Sequence, residues 1–187
     1  MKIALKLHEK IKHRLFRRIG RELRLAYRVL DIGCGDCELA CYLARAYDQQ
    51  VVGIDIISEG FPKYQDLGKI HRNIKCIRKD AVDIEFLYKA IDAVVMMMSL
   101  CRMERLLTVL QQAYQSLTPG GEIVIADYLN GSSVQKSLNK HCCEEKKIVE
   151  FLSKVGFGDI QTKLIEHKQI LWITANRVPA TTKIANA

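Results

Sequence analysis

The chain has 187 residues, of which 49% are hydrophobic and 27% are charged, a composition typical of one globular domain and not of a disordered or fibrous protein. Its longest apolar run, Ala93 to Cys101, is far shorter than the roughly 18 residues that a membrane helix needs, and its start lacks the apolar core of a secretory signal. We therefore expect a cytoplasmic protein whose seven cysteines are reduced thiols.

The net charge of +8 is concentrated in residues 1–28, which hold ten Lys or Arg residues but only Glu9 and Glu22 as acids. Apolar residues recur there at every fourth position and predict one or two helices, whose apolar stripe would wind around the helix or break near Gly20: Ile3, Leu7, Ile11, Leu15, Ile19 and Leu23. Two interpretations remain open. The segment is either a helix that packs on the domain and keeps its basic face in solvent, or a docking surface for RNA or another anionic surface.

From residue 28 onward, short β-branched runs alternate with stretches of helical periodicity. Strands are expected at 29–32, 50–56, 74–80, 92–100 and 121–128, and helices at 37–49, 61–70 (a weak pattern) and 104–117. A further helix at 144–155 and strands at 159–166 and 169–176 follow. This alternation predicts an α/β fold, a Rossmann-like doubly wound sheet with helices on both faces.

The stretch "VLDIGCGDCELACYLA" stands where such a sheet binds its ligand, at the carboxyl end of the first strand. Gly33 and Gly35 allow a tight turn that lets the backbone approach a ligand. Asp55 ends the second strand 20 residues after Gly35, a spacing that suits a carboxylate accepting hydrogen bonds from ribose hydroxyls. Asp80 ends the third strand, where it is either a ligand contact or a helix cap.

A dinucleotide site would have a third glycine where this chain has Glu38, and a carboxylate at a helix start would repel a pyrophosphate. We therefore expect a nucleoside ligand without phosphates. The alternative is a metal or cluster site built on Cys34, Cys37 and Cys41. No second pair of ligands follows at a suitable spacing, so no metal is expected.

Five motifs in order resemble the class I S-adenosylmethionine-dependent methyltransferases, in particular the small ones akin to quinone-biosynthesis and other small-molecule methyltransferases. They are "VLDIGCGDCELACYLA", "VVGIDI", "IRKDAVDIEF", "IDAVVMMMSL" and "SLTPGGEIVIADY". The resemblance implies a seven-stranded sheet, mostly parallel, with an antiparallel last strand. It assigns residues 29–176 to the methyltransferase domain, 1–28 to a basic helical segment and 177–187 to a polar tail.

The resemblance also implies which residues bind S-adenosylmethionine, whose product is S-adenosylhomocysteine. The loop from Asp31 to Gly35 lines the methionine end, Asp55 holds the ribose, Asp80 contacts the adenine, and Met97 lies near the sulfonium. The full cofactor-binding set is Asp31, Gly33, Cys34, Gly35, Asp55, Ile56, Asp80, Ala81 and Met97.

The expected activity is in-line transfer of a methyl group to a small-molecule acceptor. A first alternative is a methyltransferase of RNA or a ribosomal protein that docks through residues 1–28. A second is a non-catalytic binding module, for which Cys37, at the position of a third glycine in many family members, is the only hint. Polar candidates near the acceptor are Ser99, Tyr128 and His141, with Cys142 and Cys143 adjoining, and no residue is assigned a catalytic role.

Overall fold

The computed structural model describes residues 2–67, 69, 72–84, 90–132, 135–136 and 144–179. Within them the helices are α1 (Lys2–Glu22), α2 (Glu38–Tyr47), α3 (Tyr64–Leu67), α4 (Leu106–Ser116) and α5 (Glu145–Val155). The strands are β1 (Arg28–Ile32), β2 (Gln50–Asp55), β3 (Ile74–Arg78), β4 (Ile91–Met97), β5 (Leu117–Tyr128), β6 (Phe157–Ile165) and β7 (Ile170–Arg177). The predicted candidates His141, Cys142 and Cys143 and most of the predicted tail lie outside the described residues.

The seven strands form one sheet in the order β3-β2-β1-β4-β5-β7-β6. The first five strands pair in parallel, whereas β7 is antiparallel to both β5 and β6. Strand order reverses between β1 and β4, which is the place where open α/β sheets bind ligands. The predicted doubly wound sheet with an antiparallel last strand is confirmed.

Two hydrophobic cores cover the two faces of the sheet. One contains α1 and α2 residues packed on alternate strand positions such as Val29, Val51 and Val95. The other contains α4 and α5 residues packed on the intervening positions, such as Leu30 and Val94. Because both faces are buried, the strands are nearly continuous apolar runs, as parallel sheets require.

Helix α1 packs along the sheet as a single helix, one of the two forms that the sequence allowed, and it is not interrupted at Gly20. The Tyr47 ring packs against Gly20 and occupies the space that a side chain at that position would fill. Ile11, Leu15 and Ile19 have at most 1% of their surface exposed, which gives the helix a continuous apolar stripe. The basic residues lie on its other faces, as the first interpretation predicted.

Two ion pairs tie that basic helix to the rest of the molecule. Arg14 Nη1 lies 3.0 Å from Glu166 Oε2, and Lys12 Nζ lies 2.6 Å from Glu38 Oε2 in the first turn of α2. Glu38, which would repel a pyrophosphate, is thus paired with a cation of α1. No described helix is long and apolar enough to cross a membrane.

Candidate functional site

Two buried carboxylates lie side by side at the carboxyl ends of β1 and β2. Asp31 and Asp55 have 2% and 8% of their surfaces exposed. They share one face of the sheet, because Asp31 pairs with Gly53 and Asp55 follows two residues later on the same strand. This arrangement places two negative charges where strand order reverses.

The glycine loop after β1 is held against β2 by its own backbone. The N–H groups of Gly33 and Cys34 both donate to the Ile54 carbonyl, at 2.9 and 3.0 Å. Gly33 has φ +75°, and a Cβ there would lie 2.5 Å from Ser99 Cβ. Gly35 has φ +56°, and a Cβ there would meet no atom within 4 Å, so the loop is open above it. A ligand can therefore approach the backbone closely at Gly35.

The Asp31 carboxyl is buried without full hydrogen bonding. Its Oδ2 has no hydrogen-bond partner among the described residues. Burial, together with the nearby carboxylates of Asp55 and Asp36, raises the pKa of Asp31 to about 7. A buried carboxylate in that condition is stabilised by a cationic group of a ligand, so an ammonium group fits this position.

The Asp55 carboxylate is oriented by two backbone donors. Its Oδ2 accepts from the Gly35 N–H at 2.9 Å, and its Oδ1 accepts from the Ile57 N–H at 3.1 Å. Each oxygen of an ionised carboxylate has a second lone-pair direction. Asp55 therefore offers two fixed acceptors, one on each oxygen, to a pair of ligand hydroxyls.

A cavity of about 340 Å³ opens beside these residues, within the range of small-molecule sites. Its walls combine apolar side chains with a few polar groups at the rim, and they include Ile54, Ile56, Ile57, Val82, Met103 and Arg105. Ile56 and Ile57 are exposed by 60% and 51% and present apolar surface to the cavity. The dimensions and apolar walls suit a flat ring system.

Asp80 is at the rim of this cavity and already has two partners. Its Oδ1 accepts from the Val82 N–H at 3.1 Å and so caps the short 3-10 helix Ala81–Asp83. Its Oδ2 lies 3.3 Å from Arg105 Nη2, with both side chains about half exposed or more. The cap that the sequence allowed is present, and the same carboxylate still faces the cavity.

Five of the nine predicted cofactor-binding residues line the cavity: Gly33, Asp55, Ile56, Asp80 and Ala81. The others, Asp31, Cys34, Gly35 and Met97, do not line it. Asp31 is buried beside it, and Met97 is half-buried on the face covered by α1 and α2.

Sequence reasoning placed the segment 99–104 on the substrate side but gave no ligand role to Arg105, and both Ser99 and Arg105 line the cavity. The Ser99 hydroxyl also donates to the Ile32 carbonyl at 3.0 Å and so supports the glycine loop. The signal for Ser99 was its place just after β4, beside the loop after β1. No feature of the sequence predicts the ion pair between Arg105 and Asp80.

The prediction that all cysteines are reduced thiols is wrong, because Cys37 and Cys76 form a disulfide. Cys37 precedes α2 with φ 61°, and its side chain points into the core, where it is fully buried. Cys76 lies on β3 opposite Gly53, which has no side chain to separate the two sulfurs. Cys37 thus takes the positive φ of a glycine position and turns its side chain away from the open side of the loop.

A second group of polar residues lies at the ends of β4 and β5. The Tyr128 hydroxyl, at the end of β5, is hydrogen-bonded to His8 Nδ1 of α1, and the two rings stack with centroids 6.0 Å apart. Tyr128 is buried, whereas His8 is half-buried. Asp127 Oδ2 accepts from the Leu100 N–H at 2.9 Å and fixes the start of the segment after β4.

Comparisons with known proteins agree with this architecture. Residues 29–121 match a family model described as a methyltransferase domain. O-methyltransferase cnsE of Penicillium expansum is 32% identical over 131 residues, which are 65% of this chain and 46% of that protein. The 27-O-demethylrifamycin SV methyltransferase of Amycolatopsis mediterranei is 32% identical over 110 residues, 57% of this chain and 40% of that protein. The chain spans about half the length of the curated relatives it matches.

Among solved structures, a SAM-dependent methyltransferase from Archaeoglobus fulgidus superposes with a TM-score of 0.72 at 20% identity. The match covers 90% of this chain and 93% of that one. At this identity the likeness shows the fold alone.

Proposed function

We propose that this chain, which belongs to the class I S-adenosylmethionine-dependent methyltransferases, transfers a methyl group to an oxygen atom of a small molecule. The observation that carries the proposal is the buried Asp31 carboxyl, whose Oδ2 has no hydrogen bond, beside the fixed Asp55 carboxylate. Both relatives reported above are named for O-methylation, and one is named for a small-molecule acceptor.

The residues present fit S-adenosylmethionine in three parts. Asp31 would pair with its ammonium group, and the open backbone around Gly35 would take the methionine portion. Asp55 would accept from the two ribose hydroxyls. The apolar walls of the cavity would enclose the adenine, with Asp80 at the rim to accept from its amino group. When bound, the cofactor supplies an activated methyl group on a sulfonium centre.

The His8–Tyr128 pair supports an oxygen acceptor, because a hydroxyl must lose its proton when it is methylated. Tyr128 is two residues beyond Ala126, which pairs with Met97 at the end of β4, so Tyr128 and the predicted methyl-donor position share one face of the sheet. The acceptor hydroxyl would give its proton to the Tyr128 oxygen as the phenol proton moves to His8. Asp127 holds the neighbouring segment at Leu100 in place.

The division of the chain follows from the same assignment. Residues 29–176 form the methyltransferase unit, and the basic segment 1–28 contributes His8 to the acceptor side. The apolar stripe of α1 is used for packing, and two of its basic residues are paired with Glu38 and Glu166. These contacts favour a small-molecule acceptor over an RNA acceptor docked on that helix.

The test has two steps on the purified chain. Calorimetric titration with S-adenosylmethionine and S-adenosylhomocysteine should give micromolar binding that an Asp55→Ala variant loses. Transfer of a radiolabelled methyl group should then be measured to a panel of phenols, aliphatic alcohols, carboxylic acids and amines. Labelling of hydroxyl compounds alone is the expected result. Absence of cofactor binding, or labelling of the amines alone, would contradict the proposal.

A further inference from the structure

We infer that Cys37 and Cys76 form a reversible disulfide that controls the affinity of this site for S-adenosylmethionine, an inference that rests on the proposed function. The sulfur atoms of Cys34, Cys37 and Cys76, which we call the sulfur cluster, lie together beneath the glycine loop. Cys34 Sγ is 3.4 Å from Cys37 Sγ, and Cys37 Sγ is bonded to Cys76 Sγ.

The sulfur cluster occupies space that the sheet leaves free at Gly53. A Cβ on Gly53 would lie 2.9 Å from Cys34 Sγ and 3.1 Å from Cys37 Sγ, closer than side chains tolerate. Gly53 pairs with Asp31 on one side and with Cys76 on the other. The cluster therefore lies over the strand that ends in Asp55, between the two carboxylates and the edge of the sheet.

The disulfide holds the glycine loop against this strand. Cys37 is two residues from Gly35, and its N–H donates to the Cys34 carbonyl at 2.9 Å. Its own carbonyl accepts from the Cys41 N–H in the first turn of α2, also at 2.9 Å. Through Cys76, both the loop and the start of α2 are anchored to β3. The Gly35 N–H can then reach Asp55 Oδ2.

Reduction of this bond changes the volume of the cluster. Two thiols need more room than a disulfide, because sulfurs that are not bonded separate to van der Waals distance. Cys37 is fully buried and Cys34 is 9% exposed, and their sulfurs leave no room for even a Cβ at Gly53, so the cluster is closely packed. The loop must move outward, and the hydrogen bond from Gly35 to Asp55 weakens. The disulfide-bonded chain is therefore the form with the higher affinity.

Reduction of the disulfide needs an external thiol reductant, and the reductant attacks at Cys76. β3 is an edge strand, and Cys76 is half-buried. A thiolate of a small dithiol attacks Cys76 Sγ, the bond to Cys37 breaks, and Cys37 leaves as a thiolate that takes up a proton. The second thiol of the reductant then forms the reductant's own disulfide and releases Cys76 as a thiol. Two electrons pass from the dithiol to the protein.

Cys34 does not compete as the attacking group. Burial and the carboxylates of Asp31 and Asp55 raise the pKa of the Cys34 thiol well above its ordinary value. A protonated thiol is a weak nucleophile, so Cys34 remains a neighbour of the bond and does not exchange with it.

The pairing is tested first, by equilibrating the chain in mixtures of oxidised and reduced dithiothreitol, quenching with acid, alkylating and mapping the peptides. Under oxidising conditions we expect a peptide linking Cys37 to Cys76, with Cys34 and Cys41 alkylated. Reducing mixtures should release both cysteines together. Full alkylation of Cys37 under oxidising conditions would overturn the inference.

Affinity is measured next, by calorimetric titration of both forms with S-adenosylhomocysteine. The reduced chain should bind at least about fivefold more weakly, the lower end of typical coupling between sites. A Cys76→Ser variant should bind weakly in both buffers, and the matched Cys41→Ser variant should keep the difference. Equal affinity of the two forms would overturn the switch and leave the proposed function intact.

Hydrogen exchange of the Gly35 amide separates failure of the switch from failure of the proposed function. If neither form binds S-adenosylhomocysteine, the proposed function is wrong, and with it the control of cofactor affinity. Faster exchange in the reduced chain would still support the coupling of the bond to the loop, because this amide donates to Asp55. Unchanged exchange would overturn that coupling as well.

Discussion

The two sides of the candidate site are built differently. On the cofactor side, Asp31, the glycine loop, Asp55 and Asp80 all lie at the carboxyl ends of strands or within a few residues after them, and backbone hydrogen bonds hold most of them. On the acceptor side, Tyr128 meets His8, which is 120 residues away in sequence, and side-chain atoms make the contact. The difference indicates that cofactor binding is specified by local rules and acceptor choice by tertiary packing.

The sharpest test of the cofactor side is Asp55→Ala. The substitution removes two acceptors for the ribose and frees the Gly35 N–H, so affinity for S-adenosylhomocysteine should fall about 1,000-fold, as expected for two hydrogen bonds to a charged group. Calorimetry measures the loss. Asp66→Asn, on exposed helix α3, is the matched control and should bind like the native chain. A loss of affinity in this control would mean that the effect is not specific to Asp55.

The acceptor side should respond in turnover and not in affinity. Tyr128→Phe keeps the buried ring and removes only the hydroxyl that meets His8, so methyl transfer should fall about 100-fold, within the range of general acid–base effects. Affinity for S-adenosylhomocysteine should stay within about twofold, because the hydroxyl is hydrogen-bonded to His8 of α1. Equal losses of methyl transfer and of S-adenosylhomocysteine affinity would contradict the division of the site into a cofactor side and an acceptor side.

Asp31→Asn tests the charge of Asp31 on the cofactor side, because the substitution removes the charge and keeps the shape of the side chain. Loss of the carboxylate should weaken S-adenosylhomocysteine binding about 30-fold, the value of one charge-assisted hydrogen bond. In the native chain, the ligand's ammonium favours ionised Asp31, so affinity should rise between about pH 5 and 8 as the carboxyl loses its proton. The variant should lack this rise, and an unchanged pH profile would remove Asp31 from the ammonium contact.

The same variant should differ in stability without ligand. Because the pKa of Asp31 is raised to about 7, the folded chain keeps a proton that the unfolded chain releases near pH 4. Stability from this group is therefore lost as pH rises from about 4 to 7. Asp31→Asn has no such loss and should be more stable than the native chain at pH 8, on the order of 2 kcal/mol. Thermal unfolding at pH 5 and pH 8 measures the difference.

The smallest effect is expected at the rim. Asp80→Asn keeps an oxygen that can cap the 3-10 helix and loses the exposed oxygen that pairs with Arg105 and would accept from the adenine, so affinity should fall about threefold at most. Arg105→Ala should change affinity by a similar factor. Loss of more than about tenfold in either variant would mean that the rim, and not Asp55, dominates binding.

The cofactor side could be predicted from the sequence because its rules are local. A strand followed by Gly33 and Gly35, with Asp55 at the end of the next strand, places these groups together in any parallel sheet. The seven-stranded order followed from the resemblance to the methyltransferase family. The packing of the Tyr47 ring against Gly20 could not be predicted from the sequence, since it joins two separate helices.

What escaped prediction depends on register between distant segments. Cys76 is 39 residues from Cys37, and the two meet only because β3 pairs with β2 at Gly53. Arg105 meets Asp80 across 25 residues through the packing of the segment before α4. No periodicity or motif in the sequence predicts these contacts between distant residues. The number and spacing of the cysteines could therefore not show which of them form a disulfide.

In helix α1, the residues that pack on the sheet are separate from the residue proposed to act near the acceptor. The residues that anchor it, Ile11, Leu15 and Ile19, are separate from His8, which lies almost one turn nearer the amino end. Deleting one residue between His8 and Ile11 would rotate His8 by about 100° around the helix axis while the anchors stayed in place. Small insertions or deletions in this part of α1 would therefore change which side chain faces the proposed acceptor, and the residues of the proposed cofactor site would stay unchanged.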